Sequence, residues 1–246
     1  MQTLKFKLLT AIAILLAFAT KPAQAQNASD ILKKVDDVMY ASKDMTAVNK
    51  IELTNRSGQK DYREATVAQK GTSYRIFRFT KPSSQAGISV LSLPDDIMYL
   101  YMPAFGKVRR ISSSIKNQNF AGTDFSYDDM EAKPFMEKYT PKFLKEDAGY
   151  YYLELTPKSN QSAYSRVTMS VNKEHYYLVE MTYYDKGNHE IKVANYKFVK
   201  IGNYWNAEQI TMKDLKKQHT TSLVMTDVKY DNGLTNDDFT VRKLQE

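Results

Sequence analysis

Along most of the chain, apolar and polar residues alternate with a period of two. The stretches AVNKIELTN from Ala47, KDYREATVAQK from Lys60, SYRIFRFT from Ser73, GISVLSL from Gly87, IMYLYMP from Ile97 and KVRRISS from Lys107 predict strands. A second series predicts more: YYYLELTP from Tyr150, SRVTMSVN from Ser165, YYLVEMTYYD from Tyr176, EIKVANYKFVKIG from Glu190, YWNAEQITMKD from Tyr204 and TTSLVMTDVKYD from Thr220. Turn formers separate many of them, including Ser57-Gly58, Lys70-Gly71, Pro94-Asp95-Asp96, Asp185-Lys186-Gly187-Asn188 and Gly202-Asn203. About a dozen short strands at hairpin spacing predict a mainly β fold built on one antiparallel sheet. No linker or repeat divides the chain, so residues 26–246 are expected to form one domain.

Two segments break the pattern. Ile31, Leu32, Val35, Val38 and Met39 fall at helical spacing, with Asn27 and Asp30 placed as a capping pair, which predicts an amphipathic helix over about residues 28–42. Such a helix serves either as a lid over a cavity or as a plug at the end of a sheet. Residues 126–147 carry Ser126 and Asp129 at capping spacing, apolar surface from Met130, Phe135, Met136, Tyr139, Phe143 and Leu144, and the interruptions Pro134 and Pro141. This predicts short helices on a connection packed over the sheet or its mouth.

Several strands are apolar on both faces. In IMYLYM, Ile97, Tyr99 and Tyr101 share one side, and Met98, Leu100 and Met102 the other. A sheet with one wet face alternates more cleanly, so either both faces are packed or one faces an apolar hollow. The composition fits a hollow: 18 Tyr, 11 Phe and 11 Met supply strand formers and deformable apolar filling. The expected cavity wall is Phe77, Phe79, Met98, Leu100, Met102, Val179, Met181, Leu223 and Met225. Its phase is open, since a slip of one residue turns each of these outward.

The N-terminus reads as an export signal. A basic start with Lys5 and Lys7 precedes LLTAIAILLAFAT and the small-residue site Ala23-x-Ala25, which places cleavage between Ala25 and Gln26. The expected mature chain is soluble and exported. The chain has no cysteine, so it forms no disulfide and carries no lipid on an N-terminal Cys. Loss of Lys5, Lys7 and Lys21 lowers the formal charge from +7 to +4. Charges of both signs are interspersed, which argues against a nucleic-acid partner.

Reactive groups are sparse. His175, His189 and His219 stand apart in the sequence, and no metal-binding spacing occurs. Ser57-x-x-Lys60 and Ser113-x-x-Lys116 match the Ser-Lys spacing of penicillin-binding proteins, but both fall in turns beside strands and lack the companion motifs. The pairs Asp36-Asp37, Asp95-Asp96, Asp128-Asp129 and Asp237-Asp238 read as caps or solvated corners. No enzyme activity and no cofactor are expected. Arg109 and Arg110 are neighbours on a strand and so point to opposite faces. An inward arginine needs a partner. The residues leave two uses for it: tying the strand to the Gly122–Asp129 turn through Asp124, Asp128 or Asp129, or meeting an anionic headgroup at a rim.

Residues 95–130, DDIMYLYMPAFGKVRRISSSIKNQNFAGTDFSYDDM, resemble the signature of the outer-membrane lipoprotein-sorting-like proteins. That signature has an aromatic-Leu-Tyr-x-Pro strand, Arg-Arg-Ile, a spacer and F-x-G-T-D-F-S-Y-x-D. Here Tyr99 stands where the family usually has Trp, and Arg109, Arg110, Gly122, Thr123, Asp124, Phe125 and Tyr127 are signature positions. The resemblance implies an unclosed β-barrel of about 10–12 strands, strongly curved, with an N-terminal helix and mid-chain helices in or over its concavity. It implies a monomeric periplasmic carrier of lipid or lipoprotein acyl chains that meets the membrane surface transiently. The alternative it implies is an envelope scaffold or stress sensor that binds a protein partner and transports no lipid.

Overall fold

The computed structural model describes residues 27–246; the expected signal peptide, residues 1–25, and its cleavage site lie outside the described residues. The first described element is helix α1 (Ala28–Met39), where the Asn27 side chain accepts the Ser29 N–H at 3.0 Å. Ile31, Leu32 and Val35 are fully buried along one stripe of the helix. The helix stops at Met39, short of the expected residue 42.

Six strands follow: β1 (Asp44–Thr54), β2 (Lys60–Lys70), β3 (Tyr74–Lys81), β4 (Ser89–Leu93), β5 (Ile97–Met102) and β6 (Lys107–Arg110). A crossover carries two short helices, α2 (Tyr127–Met130) and α3 (Phe135–Lys138). Seven more strands complete the sheet: β7 (Tyr139–Glu146), β8 (Tyr150–Pro157), β9 (Tyr164–Asn172), β10 (Leu178–Asp185), β11 (Glu190–Ile201), β12 (Tyr204–Asp214) and β13 (His219–Tyr230).

All 13 strands belong to one antiparallel sheet in the order β6-β5-β4-β3-β2-β1-β13-β12-β11-β10-β9-β8-β7. Two meanders are thus joined at their centre, where β1 pairs with β13 and Ile51 faces Leu223. The ends, β6 and β7, do not pair with each other, so the barrel stays open. The register shifts at Thr46/Val48, Leu178/Glu180 and Lys197/Phe198, where bulges add local bend and twist to the strands.

β7 corrects the reading of residues 126–147 as helices alone. Tyr139 is buried and its neighbours alternate in exposure, and Phe143 pairs with Leu153. Pro141 ends any helix but is tolerated on an edge strand, where its missing N–H costs no ladder bond.

Because β6 and β7 lie at opposite ends, the crossover must traverse the concave face. It carries Phe120, Phe125 and Met130 into the main core with α1 and the inner residues of most strands. The convex face of β3–β5 is covered as well. Leu91, Phe239 and Leu244 form a second cluster with Tyr74, Ile76, Tyr99 and Tyr101. Ser89 Oγ donates to the Leu244 carbonyl at 2.7 Å beneath helix α4 (Val241–Leu244). The apolar character of both faces of β5 therefore has two causes: the core on one side and the C-terminal segment on the other.

Candidate functional site

Sheet curvature leaves a hollow of about 220 Å³ between α1, α2, α3 and the inner faces of β1, β3 and β10–β13. Met39 and Phe135 come from the helices, and Met181, Phe198, Trp205 and Met225 from the strands. The aromatic cluster continues outward at one side. Trp205 lies 5.0 Å from the Tyr177 ring and 4.6 Å from His175, and Tyr177 stacks on Phe198 at 5.1 Å.

Of the nine residues expected in the wall, Phe77, Met181, Leu223 and Met225 line this hollow. Phe79 and Met98 are fully buried in packed core instead. The crossover fills that end of the concavity: Phe120 stacks on Phe79 with centroids 5.4 Å apart and meets Phe77 edge-on at 5.9 Å. Leu100 packs half-buried against the same core, and Met102 is half-buried at the end of β5. Val179 does not line the hollow. The bulge between Leu178 and Glu180 puts Leu178 in the core opposite Val171.

The signature residues shape the crossover. Gly122 has φ +77°, a conformation that glycine adopts without strain. Thr123 Oγ1 donates to the Phe120 carbonyl at 2.8 Å. Phe125 is buried and reaches the hollow, and Tyr127 packs 5.5 Å from the Phe120 ring. Burial raises the Tyr127 hydroxyl above the usual phenol range. Ser126 and Asp129 form a reciprocal capping box at the start of α2.

Asp124 is the buried anchor of the turn. Its Oδ2 is 2.7 Å from Thr221 Oγ1 and 2.7 Å from His219 Nδ1, while its backbone N–H donates to Thr221 Oγ1 at 2.9 Å. Lys192 Nζ donates to the Asp124 carbonyl at 2.7 Å. His219, isolated in the sequence, is therefore paired. Neither Arg109 nor Arg110 takes the expected inward role: both are exposed, and Arg109 lies over the Phe105 ring at 5.8 Å. The three aspartates proposed as their partners are engaged elsewhere, Asp128 with Lys138 at 3.2 Å. Arg63 supplies the tie to the turn, donating to the Ala121 carbonyl. The Ser-Lys spacings form no dyad, since Lys116 pairs with Glu131 at 2.7 Å and Lys60 with Glu52 at 2.8 Å.

The hollow has a polar side that the periodicity does not reveal. Arg75 donates to Gln69 Oε1 at 2.9 Å. Lys138 is placed between Asp128 and Glu131; burial pushes its amine down, but the facing carboxylates hold it above the usual range. Burial holds the hydroxyls of Tyr139 and Tyr183 far above the usual phenol range, so they remain neutral. The signal for such residues is an isolated polar side chain in an apolar stripe, as with Asn49 between Ala47 and Ile51. Among the described residues, no group of three or more His, Asp or Glu is placed to hold a metal ion, and no helix is long and apolar enough to cross a membrane.

The fold and site define an unclosed antiparallel β-barrel whose helices cover an apolar hollow. A family model described as "-like: Uncharacterized protein" matches residues 71–246, and the chain belongs to that family. No curated protein matches the chain. A lipoprotein-sorting protein domain from Vibrio parahaemolyticus is similar at TM-score 0.81 and 24% identity, covering 89% of this chain and 100% of that one. A DUF1329 family protein from Desulfovibrio piger is similar at TM-score 0.81 and 26% identity, covering 92% and 100%. A LolA superfamily protein from Nitrosomonas europaea is similar at TM-score 0.75 and 24% identity, covering 89% and 100%.

Proposed function

We propose that the mature chain, residues 26–246, is a periplasmic, monomeric carrier that shields an acyl chain of a lipid or lipoprotein in the concave hollow. The hollow itself carries this reading: a Met- and aromatic-walled space under α1, in a sheet that resembles lipoprotein-sorting domains. Apolar walls of this kind take up hydrocarbon without directional contacts, and Met adapts to chains of different length. Each CH₂ withdrawn from water contributes about 0.8 kcal/mol, so ten buried methylenes supply about 8 kcal/mol before ordering costs. Release at the membrane surface needs α1 to move and a more apolar acceptor to compete. No cofactor and no catalytic step enter this cycle.

The test is native mass spectrometry of the protein purified from the envelope without detergent. A bound lipid or acylated species supports the carrier. A stoichiometric protein partner with no lipid supports the scaffold alternative, in which an open sheet edge would take up a partner strand. The β7 edge is poorly suited to that: Pro141 removes a donor, and Lys142 and Lys145 flank it, both common guards against edge pairing.

A further inference from the structure

Asn49 and Asn206 are 2% and 3% exposed, and both lie in the wall of the hollow. Asn49 Oδ1 and Asn206 Nδ2 are buried and have no hydrogen-bond partner among the described residues. Buried polar atoms are paired in the great majority of cases, so two orphans in one wall need a physical reason. Among the described residues one other buried side-chain atom is unpaired, Arg78 Nε, which lies away from the hollow; its guanidinium donates to the Lys243 carbonyl under the C-terminal segment.

The two atoms are of opposite kind. Asn49 Oδ1 is an acceptor. Asn206 Nδ2 is a donor, and its orientation is set from the other side, because the Tyr230 hydroxyl donates to Asn206 Oδ1 at 3.0 Å. Burial pushes the Tyr230 pKa up to about 12, so the hydroxyl keeps its proton at neutral pH. Asn49 faces Met225 on β13 and Ala65 on β2, and its strand neighbours on the same face, Ala47 and Ile51, are buried and apolar. An aliphatic residue would be accommodated there without leaving a polar atom unpaired.

The cations of the wall are engaged already. Arg75 is bonded to Gln69, Lys133 to Asp96, and Lys138 to Asp128 and Glu131. An anion would have to displace the carboxylates paired with Lys133 and Lys138, while Arg75 is held by neutral acceptors, Gln69 and the Met130 and Glu131 carbonyls. A neutral group bearing both an N–H and a carbonyl oxygen carries the chemical complement of the orphaned acceptor and donor.

Resting on the carrier reading, we infer that the hollow contains a neutral donor–acceptor subsite, Asn49 Oδ1 with Asn206 Nδ2, which recognises a secondary amide joined to the acyl chain. Asn49 Oδ1 accepts the ligand N–H, and Asn206 Nδ2 donates to the ligand carbonyl. A site built to bond a donor discriminates against the analogue that lacks it, because its own polar atom is then left unpaired.

The test compares N-methyldodecanamide with methyl dodecanoate, which match in chain length and neutrality and differ in the N–H. Trp205 is the chain's only tryptophan and lines the hollow, so its fluorescence reports binding, with titration calorimetry as a second readout. The amide is expected to bind about tenfold more tightly than the ester. Asn49→Leu is expected to remove that preference and to raise the melting midpoint of the empty protein. Asn206→Leu is expected to weaken both probes alike. Equal binding of the two probes to the unmodified protein overturns the subsite and leaves the carrier reading intact. Binding of neither probe overturns both. The unmodified protein alone gives the decisive ratio, whether or not the variants fold.

Discussion

The Asp36 carboxylate, on the buried face of α1, accepts the backbone N–H of Phe135 at 2.7 Å. Its second oxygen accepts the Met136 N–H at 2.9 Å, so one side chain satisfies the first turn of α3 and fastens the covering helix to the crossover. This clasp closes the hollow on its helical side.

Asp36→Ala leaves two backbone donors unpaired and is expected to cost about 2 kcal/mol in urea unfolding. Hydrogen exchange at Phe135 and Met136 should accelerate. Burial raises the Asp36 pKa above its unfolded value, and the backbone bonds only partly offset this. The folded state therefore binds the extra proton, and this group's contribution to stability falls as pH rises through that interval. Unmodified protein should gain on Asp36→Asn as pH falls from about 7 toward 4, the usual carboxylate range. A difference independent of pH contradicts the clasp as described.

Asp124→Ala removes the acceptor shared by Thr221 and His219 inside the sheet. The expected loss is about 3 kcal/mol, read as a lower urea midpoint at unchanged slope. His219→Ala should cost less, because Thr221 still holds Asp124 from both sides.

Asp44 fastens the C-terminal segment, accepting the N–H groups of Asn232, Gly233 and Leu234 and the Asn232 side chain at 2.7–3.1 Å. Burial pushes its pKa up, but these four bonds together hold it below the ordinary value. Its contribution to stability is thus full above the unfolded pKa and lost as pH falls through the lower folded one. Asp44→Ala is expected to cost about 3 kcal/mol at neutral pH and to flatten the acid limb of the stability profile. Thermal melts across that range read both effects.

Met225→Trp places a larger side chain in the hollow. Affinity for methyl dodecanoate is expected to fall at least about tenfold, with stability changed by about 1–3 kcal/mol if the wall is overpacked. Unchanged affinity would show that the ester binds outside the hollow.

Sequence pattern and structure part company at identifiable places. The strands from β1 to β6 and from β8 to β13 are legible because alternation is local and turn residues bound it. β7 is hidden because Pro141 and aromatic residues in 126–147 resemble broken helix, and only pairing with β8 makes that segment a strand. Met181 and Val179 look equivalent at a spacing of two, yet an extra residue at the Leu178/Glu180 bulge separates their environments. Adjacent arginines advertise an internal ion pair, but β6 is an edge strand whose side chains reach solvent, and Arg63 from β2 makes the contact with the turn.

By itself, then, the sequence determined the mainly β class, the opening helix, the capping of α2 and the signature turn, because each depends on residues close along the chain. Tertiary structure decided which part of the concavity stays open. The crossover must span the sheet from β6 to β7, and where Phe120 lands it converts a potential wall into packed core. It also decided that Asn49 and Asn206 share one hollow. Their place in one wall depends on the pairing of β1 with β13, strands distant in sequence, which leaves no local trace.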